Sequence, residues 1–354
     1  LFALSDYDYD LPPELIAQQP ADHRDSSRLL RMNRFTGALS HHHFYDIFQF
    51  LNPGDVLVLN NTEVIPGRLH GKKTTGGRVE VLILNYAEAS RSFGQTGDMI
   101  CTCLIKSSKR PKTGTEILFD QALTARVLDG MDDRFQVQFF CDAGFEDVLY
   151  CIGSMPLPPY IRREPEAGLP CDDKARYQTV YASQKGAIAA PTAGLHFTRG
   201  ILERLEAKGI VISPITLHVG YGTFMPVRAL DIREHRIHEE DFTIPPETAV
   251  QVNRAKINGN RIVAVGTTCV RTLEYSTNHQ GQIAAGSGSC NLFIYPGFRF
   301  SIVDAMITNF HLPQSTLLML VSAFAGRETT LCAYQEAIDG GYRFYSYGDA
   351  MLID

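Results

Sequence analysis

The sequence predicts an α/β protein in which a small antiparallel β-barrel is inserted into a larger host domain. Three observations predict it. Strand and helix patterns alternate up to about residue 72 and again from residue 153, as in layered α/β folds. Between these stretches, short strand-like runs follow one another, split by glycine and aspartate turns and without helical periodicity. Val56-Leu57-Val58-Leu59 is a continuous apolar run, as expected of a central strand buried on both faces. The host is therefore read as residues 1–72 and 153–354 and the insert as 73–152. Such insertions are tolerated where a host loop has neighbouring ends.

Composition narrows the function class. The chain has 354 residues, 44% apolar and 20% charged, enough to bury a full core. Its strongest apolar run, Leu317 to Ala325, is too short to span a bilayer and reads as a buried helix. The start, Leu1 to Asp8, lacks the basic flank of a signal peptide, so a cytoplasmic location without a membrane is expected. Eight cysteines show no secreted-scaffold spacing, and reduced thiols are expected. Cys101 and Cys103 alternate in a strand-like run; they are read as pointing to opposite faces and as a poor start for a zinc site. A net charge of −6 argues against general polyanion binding but allows a local basic patch.

Along the chain, Leu11 to Gln18 is a proline-started turn. Leu29–Met32 and Leu39–His43 form a hairpin around Thr36-Gly37, and Phe44 to Leu51 a short helix stopped by Asn52-Pro53-Gly54. In the insert, strands are expected at Val79–Ile83, Met99–Lys106, Glu116–Phe119, Ala125–Leu128, Phe135–Phe139 and Val148–Ile152. Met155 to Ile161 is a proline-rich connector back to the host. Arg162, Arg163, Lys174 and Arg176, with Lys106, Lys109, Arg110 and Lys112 of the insert, suit a nucleic-acid backbone, although Glu164, Glu166, Asp172 and Asp173 dilute the charge. Thr198 caps a helix from Ile201 to Lys208 that Gly209 ends. Val211 to Gly220 is a strand, and the chain closes with an aromatic strand and turn over Tyr342–Asp349.

Polar residues gather where these strands end, the usual place for ligands in α/β proteins. Ala189 to Thr198 brings small residues and His196 to a helix entrance, which suits an anion or polar ligand and equally a tight turn. Asn60-Asn61-Thr62 can read a base or ribose edge, or cap a turn. Arg24-Asp25-Ser26-Ser27-Arg28 can orient a carboxylate or phosphate, or form its own ion network. Gly220 to Phe224 is a flexible aromatic loop. His235 and His238, three apart, would share a helix face and need a third ligand to hold a metal. Gly266 to Glu274 breaks from strand to helix and can cradle a carboxylate, without the Walker or dinucleotide spacing. Thr308 to Thr316 repeats that scheme, with Asn309 and His311 in the loop.

In order and spelling, Pro191–Thr198, Gly266–Glu274 and Thr308–Thr316 resemble the S-adenosylmethionine:tRNA ribosyltransferase-isomerase family of queuosine biosynthesis. The likeness extends through Arg24–Leu30, Val58–Thr62, Tyr177–Tyr181, His218–Phe224, Phe293–Gly297 and Phe344–Ile353, virtually the whole chain. Glu63 departs from the family pattern, standing where a basic residue is customary; Gly67, Ile237, Cys269 and Gly288–Asn291 also depart.

The resemblance implies a barrel-like α/β host with an inserted β-barrel. It implies an enzyme that moves and isomerises the ribosyl part of S-adenosylmethionine onto the aminomethyl group of preQ1 at the wobble position of tRNA, giving epoxyqueuosine, adenine and methionine. The tRNAs would be those for Tyr, His, Asn and Asp, and the enzyme a monomer. S-adenosylmethionine is a co-substrate; no permanently bound cofactor and no metal is implied. Such chemistry needs a base near C5′, an acid for adenine and holds for the ribose and carboxylate. His196 is the first choice for proton transfer and His311, beside Asn309, the alternative. Gly266, Thr267 and Thr268 would hold the methionine end with Arg271 completing a carboxylate clamp. Thr192, Gly194 and Asn309 join the nucleoside site, and Asn60, Asn61 and Thr62 would contact adenine or preQ1. Arg24, Asp25, Arg28, His218, Tyr221, His235 and His238 would position substrate. An S-adenosylmethionine-dependent RNA methyltransferase and a non-enzymatic tRNA-binding module remain as alternatives.

Overall fold

The computed structural model describes residues 2–142, 144–163, 171–224 and 226–354; Glu164 and Glu166 lie outside them. In chain order the host begins with β1 (Arg28–Met32), β2 (Leu39–His43), β3 (Val56–Asn60) and β4 (Thr62–Val64). The insert supplies β5 (Arg68–Lys73), β6 (Arg78–Ile83), α1 (Tyr86–Thr96), β7 (Met99–Ser107), β8 (Glu116–Leu118), β9 (Thr124–Met131), β10 (Arg134–Phe140) and α2 (Phe145–Ile152). The host resumes with α3 (Asp173–Arg176), β11 (Gln184–Ala187), α4 (Arg199–Ala207), β12 (Val211–Leu217), β13 (Glu240–Ile244), α5 (Pro246–Ile257), β14 (Ile262–Val265), α6 (Thr267–Tyr275), β15 (Gly286–Cys290), β16 (Ala305–Asn309), α7 (Thr316–Ala325), α8 (Arg327–Asp339) and β17 (Ala350–Ile353).

Nine of these strands form one mixed sheet in the order β15-β13-β12-β3-β14-β16-β17-β1-β2. Beside this large α/β sheet, the strands of the insert close into the expected antiparallel barrel, β10-β7-β6-β5-β8-β9. In the large sheet, alternate residues of one strand serve opposite cores, as the two-residue period of a strand requires. Val56 and Val58 join one cluster with Ala264, Met306 and Met351. Leu57 and Leu59 join another with Val263, Ile307 and Leu352. Burial on both faces is thus why the Val56–Leu59 run is unbroken.

The insert differs from the sequence reading in three respects. Its first strand starts at Arg68, inside the stretch assigned to the host. Val148–Ile152 is part of helix α2 rather than a strand, and helix α1 lies between β6 and β7. An isolated hairpin's period is easy to read, whereas these helices present one apolar side to the barrel: Tyr86, Ala89, Phe145, Val148 and Leu149 all belong to its core. Cys101 and Cys103, two residues apart, share a face and are both fully buried in that core; the expectation of opposite faces miscounted the strand period.

At the host's far end, Tyr342–Asp349 is turn and coil, and the strand that follows is Ala350–Ile353. Asp349 explains this. Its carboxylate accepts from the amides of Arg28 at 2.9 Å and Arg343 at 2.8 Å, so backbone groups that a strand would pair are tied to a side chain instead. No helix of the described residues is long and apolar enough to cross a membrane.

Candidate active site

Strands β12, β3, β14 and β16 are mutually parallel, so their carboxyl ends reach one edge of the sheet, where α/β folds place ligands. A cleft lies there. Ala189, Ala190, Pro191, Thr192 and Ala193 form one wall, Gly266, Thr267 and Thr268 a second, and Thr308, Asn309, Phe310 and His311 a third. The three polar strand-end motifs therefore do meet.

Each wall has a local cause. Gly266 has φ +89°, a left-handed conformation that favours glycine, and its amide donates to Ile307 at 2.8 Å. This turn launches α6, whose first-turn amides have no partner within the helix. Thr268 adds a buried hydroxyl with no hydrogen-bond partner. Helix-start amides and a free hydroxyl are the kinds of group that bind an anion such as a carboxylate. Ala189, Ala190 and Ala193 line the same cleft with small side chains, and Ala193 lies beside Gly266.

Asn309 is 1% exposed and its amide is held from behind. Nδ2 donates to the Tyr345 carbonyl at 3.0 Å and to His196 Nε2 at 3.2 Å. With Nε2 accepting, the His196 proton sits on Nδ1 and is donated to Ser27 Oγ at 2.7 Å; Ser27 in turn donates to the Arg24 carbonyl at 3.3 Å. Both amide hydrogens of Asn309 are used, and its Oδ1 has no partner. A ligand N–H or O–H would satisfy it.

The two histidines differ in position. His311 lines the cleft, bonded through Nε2 to Thr308 Oγ1 at 2.7 Å, while its main-chain carbonyl accepts from the Tyr9 hydroxyl. Burial lowers its pKa to about 3. His196 lies behind Asn309 and stacks on Phe44 with ring centroids 5.1 Å apart. Burial, then the Arg343 and Arg24 charges, lower its pKa to about 3. Both rings are neutral near pH 7.

A second hollow, of about 1160 Å³, adjoins the first at Thr223 and Leu317 and is lined by His235, His238 and Arg271 among others. Arg271 is not free to clamp a ligand. Its guanidinium, buried, gives Nη1 to Glu240 at 2.6 Å and its other nitrogens to the Leu292 and Cys290 carbonyls. His235 and His238 do not share a helix face: the 3₁₀ turn Ile232–Glu234 ends before them. His235 meets Phe293 edge-on and His238 packs over Gly222. Among the described residues no three His, Cys, Asp or Glu side chains gather as metal ligands.

Other expected site residues lie outside both linings. Asn60 uses its amide on the backbone of Leu217 at 2.9 and 3.0 Å, pinning β3 to β12. Asn61 accepts from Thr216 at 2.7 Å and Thr62 pairs with His218 at 2.8 Å; burial lowers the pKa of His218. Glu63 accepts from Tyr150 of α2 at 2.5 Å, so its reversed charge meets the insert and not the cleft. Gly194 is buried against Tyr181, whose hydroxyl oxygen would lie 2.0 Å from a Cβ there. Tyr221 is half-buried at the start of a 3₁₀ turn, Tyr221–Phe224. Arg24 donates to the Leu195 and Ala175 carbonyls at 3.2 and 2.8 Å. Arg28 fastens Gly340, Gly341 and Asp349 and lies 3.9 Å over the Tyr342 ring; Asp25 is half-buried beside them in sequence.

The structure adds Tyr160, Tyr345 and Ser346 to the cleft. Tyr345 has φ +71°, an uncommon conformation for an aromatic residue that aims its carbonyl at Asn309. Nothing in the local sequence signals it, since Tyr342–Asp349 reads as a strand.

Comparison with known proteins places the chain in a family. A family model described as "Queuosine biosynthesis protein" matches residues 4–353. The chain is 52% identical over 351 residues to an S-adenosylmethionine:tRNA ribosyltransferase-isomerase of Syntrophotalea carbinolica, and 49% identical to that of Trichlorobacter lovleyi, covering 99% of each chain in both cases. The crystal structure of the S-adenosylmethionine tRNA ribosyltransferase from Thermotoga maritima is similar with a TM-score of 0.56 at 38% identity, over 99% of this chain and 100% of that one. With full-length relatives at this identity and the strand-end motifs gathered in one cleft, the chain belongs to the queuosine biosynthesis family of S-adenosylmethionine:tRNA ribosyltransferase-isomerases.

Proposed function

We propose that the cleft holds S-adenosylmethionine while preQ1 at the tRNA wobble position enters beside it, and that the ribosyl group is transferred and isomerised to epoxyqueuosine. The observation that carries this reading is the convergence of a helix-start turn with an unpartnered hydroxyl, an unpartnered amide oxygen and a neutral histidine on one cleft. In this reading the amides of Thr267 and Thr268 with the Thr268 hydroxyl take the methionine carboxylate. Asn309 Oδ1 accepts from the nucleoside, and the alanine wall accommodates its flat base. The sulfonium acidifies C5′, and His311, neutral and in the cleft, is assigned that proton. Adenine leaves with the proton that His311 took, giving a vinyl sulfonium; the preQ1 amine adds to it and loses its proton to the same ring, and epoxide closure expels methionine. His196 is assigned a positioning role through Asn309. S-adenosylmethionine is consumed as a substrate; the partners are the tRNAs for Tyr, His, Asn and Asp, met by a cytoplasmic monomer.

Product analysis with S-adenosylmethionine and preQ1-bearing tRNA tests the proposal. Adenine and methionine released in equal amounts with epoxyqueuosine formed is the expected result. S-adenosylhomocysteine would indicate a methyltransferase, and binding without turnover a recognition module; either overturns the reading.

A further inference from the structure

A small crevice lies behind the cleft and meets it at Ser346, which lines both. Arg24, Arg176, Arg343 and His196 line this crevice, and no carboxylate does. In a chain of net charge −6, three guanidiniums around one hollow are a local concentration of positive charge.

Two of the three guanidiniums, those of Arg24 and Arg176, are held by neutral groups alone. Arg24 donates to the carbonyls of Leu195 and Ala175 at 3.2 and 2.8 Å. Arg176 donates to the carbonyls of Asp22, at 3.1 Å, and Ala21, and its buried Nε has no partner. Arg343 donates to the Gln19 carbonyl at 3.3 Å, and its nearest acid is Asp349 at 3.9 Å, shared with Arg28. By contrast the neighbouring Arg163 is neutralised by Asp173 through two bonds of 2.7 and 2.8 Å. Carbonyl partners fix an arginine without cancelling its charge, so the crevice keeps a standing attraction for an anion. His196, neutral and donating to Ser27, adds no charge of its own.

We propose that this crevice is a phosphate site for the RNA substrate: a backbone phosphodiester next to the modified nucleotide seats between Arg24, Arg176 and Arg343 while the base reaches past Ser346 into the cleft. The inference rests on the functional reading above and names how that substrate is gripped. It also explains how an acidic protein takes a polyanion, since one fixed phosphate contact positions the strand without a broad basic face.

The test uses the full chain and an anticodon stem-loop followed by fluorescence anisotropy without S-adenosylmethionine. Arg176→Ala and Arg24→Ala are expected to weaken stem-loop binding about tenfold and to flatten the salt dependence by about 0.7–0.9 in log–log slope, one phosphate contact's share. The KM for S-adenosylmethionine is expected to stay within about twofold. A stem-loop with a neutral methylphosphonate at the linkage flanking the wobble nucleotide should bind the wild type about as weakly as the natural RNA binds Arg176→Ala, and the two changes together should cost no more than either. This arm alters the RNA alone and stands even where an arginine variant fails to fold. Equal binding of charged and neutral RNA overturns the proposal, as does a raised KM for S-adenosylmethionine with RNA affinity intact, which would mark a carboxylate site. Phosphate-dependent binding without turnover would instead sink the functional reading and leave the crevice standing.

Discussion

Asn309 Nδ2 lies 3.2 Å from His196 Nε2, and this contact uses the amide hydrogen that the Tyr345 carbonyl, 3.0 Å from the same nitrogen, does not take. The two acceptors together hold the nitrogen away from the cleft and leave Oδ1 without a partner. His196→Ala is expected to lower kcat on the order of tenfold to a hundredfold by loosening the amide, with the pH profile of kcat unchanged in shape. A side chain that itself exchanged the proton would remove a limb of that profile. Measuring kcat from pH 5 to 9 in both proteins separates the roles.

Acid stability follows from the same burial. His196 and His311 each have a pKa lowered to about 3, against about 6.5 in an unfolded chain. Between those values the unfolded state binds more protons, so stability rises with pH through that window and levels off above it. At pH 5 each histidine costs about 2 kcal/mol relative to pH 8. A Tm that falls steadily from pH 7 to pH 5, and falls less in His196→Asn, is the expected outcome; a flat Tm refutes the assignment.

Thr268→Val removes a hydroxyl that has no partner in the protein while keeping the side chain's shape. Thermal stability should be unchanged or slightly raised, because nothing within the fold is lost. The KM for S-adenosylmethionine should rise about fivefold to tenfold if that hydroxyl meets the carboxylate. An unchanged KM with S-adenosylmethionine would move the methionine end elsewhere.

The Arg271–Glu240 pair predicts a structural phenotype where the sequence motif suggested a binding one. Glu240 Oε1 also accepts from Gly220 N at 3.1 Å and Thr223 Oγ1 at 3.2 Å, so the pair ties α6 to the loop that separates the two hollows. Glu240→Ala strands a buried guanidinium and is expected to cost about 3–5 kcal/mol. Urea denaturation of both single variants and of the Arg271→Leu/Glu240→Leu double variant measures the coupling. A double variant no worse than either single one is expected; simple addition of the two losses would contradict it.

Gly194→Ala tests the close approach beside the cleft. A methyl group there would sit 2.0 Å from the Tyr181 hydroxyl, and that hydroxyl has no hydrogen-bond partner. We expect a loss of at least about 2 kcal/mol in Gly194→Ala, a near-neutral Tyr181→Phe, and partial rescue when they are combined. Equal Tm values for Gly194→Ala and wild type would show that the turn relaxes freely.

Much of the site is legible before folding because its parts are local. Gly266 followed by Thr267, Thr268 and an apolar helix face spells a strand-to-helix break. Thr308-Asn309 and His311 spell another. What spacing cannot supply is direction. Asn60 and Asn61 sit at a strand end as surely as Asn309 does, yet their amides turn sideways onto Leu217 and Thr216 of the neighbouring β12. Arg271 carries the charge a carboxylate clamp needs, but Glu240, distant in sequence, already occupies it.

By itself the sequence determined the alternating host, the barrel strands and the three polar breaks, since each is written in residues within a few positions of one another. Tertiary structure alone decided that His196 stands behind Asn309 while His311 lines the cleft. It also decided that three arginines from separate segments share one crevice. The physical reason is that a side chain's chemistry depends on its nearest polar neighbours, and in a sheet of crossed-over strands those neighbours come from residues hundreds of positions away.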